Sequence, residues 1–369
     1  MKLSAGNNKT YPAKAWLKRF GLAFLSCLSV IALLMVVLDP FFHYHAPLPS
    51  FYYTLADQRY QNDGILRHFH YDAVITGTSM VEKMSTRDFD DLFHTTSVKT
   101  AYPGATFREI GDSMRTAFRS HPDIRIVLRG LDYSHLVEDP RKLRTDMGDY
   151  PSYLYDDNPF NDVRYLFNRD AFLQYLLPMI GRRLAGRPGG VMSFDEFSGQ
   201  DDVTYSALAA LEGKTAFHVD RNERSSLTPE ETEWLLANIR ENVTSLAEEH
   251  PDTEFLCFFT PYSAVWYGGL LENGGFGKQL EAERIAAEEM LRIPNIRLFS
   301  FSAEPAITAK LDHYRDAGHY SPEISGQILA HIAAGEYELT GDSLASYLAS
   351  EEALYRGLDY EALSAQAVE

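Results

Sequence analysis

Two short stretches of the chain, far apart in sequence, carry the residue types of nucleophilic catalysis. One is Gly77-Thr78-Ser79-Met80, the other Asp316-Ala317-Gly318-His319. A serine hydroxyl attacks a carbonyl only when a base takes its proton, and the base needs a third group to fix its tautomer. Asp316 and His319 stand three residues apart, so in a turn the carboxylate can accept from imidazole Nδ1 while Nε2 stays free. His313 is the competing base, but its acid, Asp312, is adjacent in sequence, which suits such a clamp poorly. Taken alone, Gly-x-Ser reads as a strand-end turn and Asp-x-x-His as a helix-entry turn; together they point to a relay. The nucleophile elbow of α/β-hydrolases is not matched, because Val81 stands where its second glycine belongs.

A relay of this kind needs elements that bring residue 79 and residue 319 to one rim. Short apolar runs alternate with amphipathic stretches, the pattern of a mostly parallel α/β sheet. The runs are Asp72 to Thr76, Ser97 to Thr100, Ile124 to Arg129, Phe255 to Phe259 and Ile296 to Phe301, five strands in all. Ser79 then falls just past the carboxyl end of the first, where such sheets place ligands. Phe107, Ile110, Met114 and Phe118 recur at helical spacing and predict a crossover helix. Thr228-Pro229-Glu230-Glu231 is a capping box ahead of Leu235, Ile239, Val243 and Leu246, and Ser321-Pro322 opens a helix carrying Ile324, Ile328 and Ile332. Residues 134–227 exceed what a crossover needs and read as a helical insertion. Its stretch from Asn161 to Leu184, rich in aromatic and aliphatic residues and ending in Arg182-Arg183, can cap a groove, rest on a membrane surface or simply pack. Residues 341–369, with six acids and one arginine, read as an exposed helix or loose end. There is no internal repeat.

Composition narrows the classes of function. The chain has 369 residues, 45% hydrophobic and 23% charged, enough for a sizeable core. Its formal charge is −18 overall and +5 over residues 1 to 38, hence −23 over the remainder, which argues against a nucleic-acid partner held through phosphates. Two cysteines, Cys27 and Cys257, rule out a disulfide scaffold. Phe20 to Leu38 is an uncharged run of 19 residues, about 28 Å as a helix and so close to a bilayer's hydrocarbon thickness. It is longer than a signal-peptide core, and Asp39-Pro40-Phe41-Phe42 is no cleavage site. The expected organisation is a cytoplasmic basic segment (1–19), a single-pass anchor (20–38), a connector (39–70), an outward domain (71–340) and the acidic tail (341–369). The cluster Phe41, Phe42, Tyr44, Phe51, Tyr52 and Tyr53 reads equally well as an interfacial belt or as core. His43 with His45, and His68 with His70, have two-residue spacing that suits metal ligands, yet no carboxylate accompanies them at a matching spacing.

The pair of stretches resembles the first and last sequence blocks of the SGNH (GDSL-like) hydrolase superfamily. The anchored layout is similar to its membrane-linked branch, which includes the teichoic-acid D-alanine transfer protein and the alginate-acetylation proteins. The resemblance spans roughly residues 60–335 without the insertion, and its motifs are short. It implies a flavodoxin-like three-layer fold and no cofactor or metal. It also implies a serine acyltransferase or esterase acting on a cell-envelope polysaccharide or teichoic-acid-like polymer, with a membrane-bound acyl-donor protein as a partner. Carried over by position, Ser79 is the nucleophile, His319 the base and Asp316 its orienter. Gly104, in Tyr102-Pro103-Gly104-Ala105, matches the glycine whose N–H faces the oxyanion. The third block departs from the pattern: Asp132 stands where an asparagine donor belongs, and an ionised carboxylate there repels an oxyanion. Asn62 is the substitute donor on offer. Arg129, Asp132 and Tyr262 are groove candidates, with an Arg129–Asp132 ion pair the plainer reading of the first. Thr78 replaces the usual aspartate of the first block. The departure at Asp132 also fits a second reading, a catalytically silent scaffold that binds an envelope polymer or an assembly partner.

Overall fold

The computed structural model describes residues 13–146, 148–198 and 203–367, so most of the basic N-terminal segment lies outside the described residues. Helix α1 (Ala13–Leu38) comes first. It is long and apolar enough to span a membrane, with a mean hydropathy of 2.7 over its most apolar window and only 11% of that window buried. Its last turns are not free: Met35 and Leu38 are buried, and Ile31 and Leu34 pack on the core. The helix stops at Asp39, whose carboxylate accepts from the amides of His43, Tyr44 and His45 and from the Tyr165 hydroxyl. That side chain closes the turn by which the chain leaves α1 and enters the body.

The body is a mixed α/β unit around a mostly parallel sheet. Besides the short strand β1 (Tyr52–Tyr53), the strands in chain order are β2 (Ala73–Thr76), β3 (Ser97–Lys99), β4 (Ile126–Leu131), β5 (Gly190–Val191), β6 (Glu254–Phe259), β7 (Ile296–Ser300) and β8 (Glu338–Leu339). The main sheet has six strands in the order β3-β2-β4-β6-β7-β8, and β1 pairs separately with β5. From β3 to β7 every pairing is parallel; β8 alone runs antiparallel, against β7. Every residue of β2 and β4, and all of β6 but Glu254, are buried, as apolar strands covered on both faces must be.

Helices α2 (Gln58–His68), α3 (Thr86–Phe93) and α4 (Phe107–Ser120) lie in the first half. The expected crossover helix is α4, its entry fixed by a capping box in which Thr106 and Glu109 satisfy each other's backbone amides. The Thr228 capping box likewise opens Pro229–Ile239, which continues through a wider π-helical turn to Glu249 and buries Leu235, Ile239, Val243 and Leu246. Ser321 caps Pro322–Ala334.

Four expectations need correction. The sheet has a sixth strand, because two residues, Glu338–Leu339, suffice to cover the β7 edge and leave no periodic signal. The segment 39–70 is no connector: α2 packs against α4, and Gly64 sits so close to the Phe41 and Phe42 carbonyls that any side chain there would collide with them. The insertion is helical only in part: within its aromatic-rich stretch the π-helical Ala171–Leu176 runs without a break into Leu177–Leu184, as expected, while the rest is loop with short turns such as Val163–Leu166. The tail folds into Leu344–Gly357 and Tyr360–Ala365, and Leu344, Tyr355, Tyr360 and Leu363 anchor both helices in the core. In the aromatic cluster, Phe41, Phe42 and Tyr53 are core residues.

Candidate active site

Strand β2 delivers the serine. At its end Gly77 adopts φ +154, a conformation that disfavours any side chain, and turns the chain into the single 3-10 turn Ser79–Val81. Thr78 caps that turn, its hydroxyl accepting from the Met80 amide while donating to Asp132. Gly130 on the neighbouring strand lets the turn sit down on the sheet: a Cβ there would come within 2.6 Å of Val81.

The histidine arrives from the far end of the chain. A bridge between Tyr314 and Tyr320 pinches off the loop that holds Asp316 and His319. Asp316 Oδ1 accepts from the amides of Gly318 and His319, at 2.8 and 2.7 Å, which locks the carboxylate beneath the ring. His319 Nδ1 lies 2.7 Å from Asp316 Oδ2, and Nε2 lies 2.7 Å from Ser79 Oγ. With its Nδ1 proton engaged, the ring presents a lone pair to the serine. Burial opposes ionisation of Asp316, but the hydrogen bonds from the His319 ring and the two amides outweigh it and hold the carboxyl at about 2. Serine, histidine and aspartate are therefore in register, although 240 residues separate the first two.

They open onto a cavity of about 520 Å³ at the carboxyl edge of the sheet, lined also by Gly104, Asp132, Tyr262 and Trp266. Asp132 does not aim its charge at the serine unopposed. The hydroxyls of Tyr262 and Thr260 donate to one oxygen, at 2.7 and 3.1 Å, and Thr78 to the other. Three hydroxyls thus disperse the charge at the position where the resemblance expects a neutral amide. Gly104 is on the cavity wall at φ +60. The Arg144 guanidinium lies where a Cβ of residue 104 would be, held by the Pro103 carbonyl and by Asp146.

Two candidates belong elsewhere. Asn62 is fully buried on α2 and spends its amide on the Thr100 carbonyl, 2.9 Å away, so it donates nothing to the cavity. Arg129 is buried within β4, over the Phe107 ring, and no ion pair joins it to Asp132; burial pushes its pKa down to about 10. For Arg129 the strand explains it: the residue lies inside β4, whereas Asp132, just past the strand's end, reaches the rim. Of the histidines considered as metal ligands, His43 faces Asp162 at 3.3 Å and His45 turns to the Val36 and Val37 carbonyls. His313 is 3.5 Å from Glu323 and lies off the cavity wall.

Sequence reasoning overlooked a second carboxylate–imidazole pair on the wall. His135 Nδ1 is 2.8 Å from Glu138, which also binds Lys142. Burial works against protonation of His135, but Glu138 and Asp132 outweigh it and raise its pKa. Its three-residue spacing is the same signal that exposed Asp316 and His319. Arg315, beside Asp316 in the same loop, Arg144 and Trp266 also line the cavity; the last two reach it from separate elements and carry no such signal. No family model matches the chain, and no curated protein is similar enough in sequence to serve as a relative.

Proposed function

We propose that this chain is a membrane-anchored SGNH-like serine O-acyltransferase or esterase that acts outside the cytoplasm on a cell-envelope polysaccharide or teichoic-acid-like polymer. The observation that carries the reading is the unbroken run of contacts from Ser79 Oγ through His319 to Asp316 at the rim of an open cavity. Strand order supports it: the parallel strands, numbered in sequence, run 2-1-3-4-5, the order of flavodoxin-like folds, with β8 added at the edge.

In the proposed reaction His319 Nε2 takes the Ser79 proton as Oγ attacks an acyl carbonyl. The Gly104 backbone N–H, on the cavity wall, is the donor that the resemblance assigns to the developing oxyanion. The imidazolium then protonates the departing oxygen, leaving an acyl ester on Ser79. An incoming hydroxyl gives its proton to His319 and attacks that ester; the tetrahedral adduct collapses, and the proton passes to Ser79 Oγ. A sugar or polyol hydroxyl makes the enzyme a transferase, and water makes it an esterase. Anchoring beside the membrane favours transfer, since an acyl donor delivered through the bilayer is met there. Asp316 stays ionised throughout and stabilises the imidazolium.

The test is incubation of the purified full chain with a fluorophosphonate probe and an aryl acetate. The expected result is an adduct on the peptide containing Ser79 and acetate release that Ser79→Ala lowers by about 10³-fold or more. An unlabelled Ser79, under conditions that label an authentic serine esterase, overturns the reading and leaves the silent scaffold.

A further inference from the structure

The insertion carries a surface that the chemistry does not use. Phe160 is 90% exposed and Leu184 is 82% exposed, and Val163, Phe167, Leu173 and Leu177 between them also face out. Scattered apolar side chains on a surface are ordinary, but six within one 25-residue stretch are not. The same region is basic in an acidic chain: residues 160–187 hold five arginines against two aspartates, Asp162 and Asp170, the first of them buried. Arg164, Arg169, Arg182, Arg183 and Arg187 are exposed, and none forms an ion pair among the described residues. Many arginines elsewhere are held by acids, as Arg240 is by Glu289 and Arg297 by Glu338.

Position decides what covers this surface. Val163–Leu166 and the turn Ala171–Leu176 pack against α1. The face of α1 turned to the body is Ile31, Leu34, Met35 and Leu38, so contact extends back seven residues from its end, about 10 Å at the rise of an α-helix. If Phe20 to Leu38 crosses the hydrocarbon, whatever packs on Ile31 stands below the headgroups. Because insertion segments pack on α1, and the body-facing side of α1 lies toward its end, the insertion is held beside the bilayer surface. Tyr165 fixes the geometry, donating to Asp39 at 2.7 Å and accepting from the Phe41 amide, so the exit of α1 and the insertion move as one piece.

We infer that residues 160–187 form a platform that docks on an anionic lipid surface, its apolar side chains entering the headgroup–acyl boundary and its arginines meeting lipid phosphates. The chain then has two membrane contacts, a spanning helix and an interfacial one beside it. Basic side chains are attracted to an anionic lipid surface, and the apolar residues add burial as in other interfacial helices. The inference rests on the anchor half of the functional reading and not on the serine chemistry.

Spin labels on the full chain, reconstituted in vesicles of phosphatidylcholine with phosphatidylglycerol, test it. In a Cys27→Ser background, where the remaining Cys257 is buried, labels are placed through Leu25→Cys, Phe160→Cys, Leu184→Cys and Asp342→Cys. Position 342 follows β8, at the sheet edge opposite β3. Collision with oxygen and with a water-soluble nickel chelate reports depth. The expected result is oxygen-dominated relaxation at 25, 160 and 184, with nickel access at least about fivefold below that at 342. Nickel access at 160 and 184 equal to that at 342, with 25 still in lipid, overturns the platform alone; loss of lipid contact at 25 overturns the anchor as well. Protection at 160 and 184 that grows with protein density and brings spin–spin broadening overturns it in favour of a second copy of the chain.

Discussion

At the scale of single residues, the arrangement hinges on a carboxylate that cannot lose its charge under ordinary conditions. Asp316 is held at about 2 by the His319 ring and two backbone amides, against the cost of burial. An amide of the same shape cannot accept at both positions, and it rotates the histidine toward the wrong tautomer. Asp316→Asn is therefore expected to lower acyl turnover by about 10³- to 10⁴-fold while leaving the thermal transition within a few degrees of the native one. Steady-state rates with an aryl acetate decide it, and a loss smaller than tenfold would refute the orienting role. This pair was legible in the sequence because both partners sit in one turn, three residues apart. The company of Asp132 was not. Its donors are Thr78, Thr260 and Tyr262, one of them 54 residues before it and the others 128 and 130 after it, and no local pattern announces that three hydroxyls will converge on one carboxylate.

Among the elements, the serine turn is held by shape. Val81 of that turn rests over Gly130 of β4, and the gap between them is too small for a methyl group. Gly130→Ala must push the turn away from the sheet and with it Ser79, at a cost of about 1–3 kcal/mol in stability. Activity should fall further than stability implies, because a hydroxyl displaced by an ångström leaves the reach of its base. Val81→Ala in the same chain reopens the space and should restore most of both. A double-mutant cycle on melting and turnover measures this coupling; additive losses would show that the two side chains do not share the space. Elements of this size were read well where local chemistry marks them, as at the Thr228 and Ser321 caps. Reading was poorer in the insertion outside Ala171–Leu184, where helical turns are too short for a period to establish itself, and at Asn62 and Arg129, where the direction of a side chain decides the role.

For the molecule as a whole, the last two helices close the structure on a pair of buried acids. Glu283 in Phe276–Met290 and Glu351 in Leu344–Gly357 are both inaccessible to solvent. Ser300 donates to Glu283 at 3.1 Å, Tyr347 meets Ser300 at 2.6 Å, and Tyr267 stacks on Tyr355 beside them. The six acids of the tail made an exposed segment the natural reading, since glutamate is almost never fully buried without a partner. Here the charged neighbour is a second carboxyl, an arrangement that holds only while a proton remains. Burial raises Glu283 to about 7, and burial together with Glu283 itself raises Glu351 well above the carboxylate range. In the unfolded chain both ionise near 4.3. Between that value and the native ones the folded state binds more protons than the unfolded, so stability must fall as pH rises, by up to about 1.4 kcal/mol per pH unit for each carboxyl. The slope begins near pH 4.5 and flattens once both groups are ionised in the native state as well. Glu351→Gln removes one ionisation and the repulsion on the other. It should flatten the decline from pH 5 to 8 and make the variant more stable than the native chain at pH 8, by about 1–3 kcal/mol. Melting curves across that range settle the point. Parallel curves for the two proteins would mean that the buried acids do not set the pH response, and that the C-terminal helices are held by Tyr355, Tyr360 and Leu363 alone.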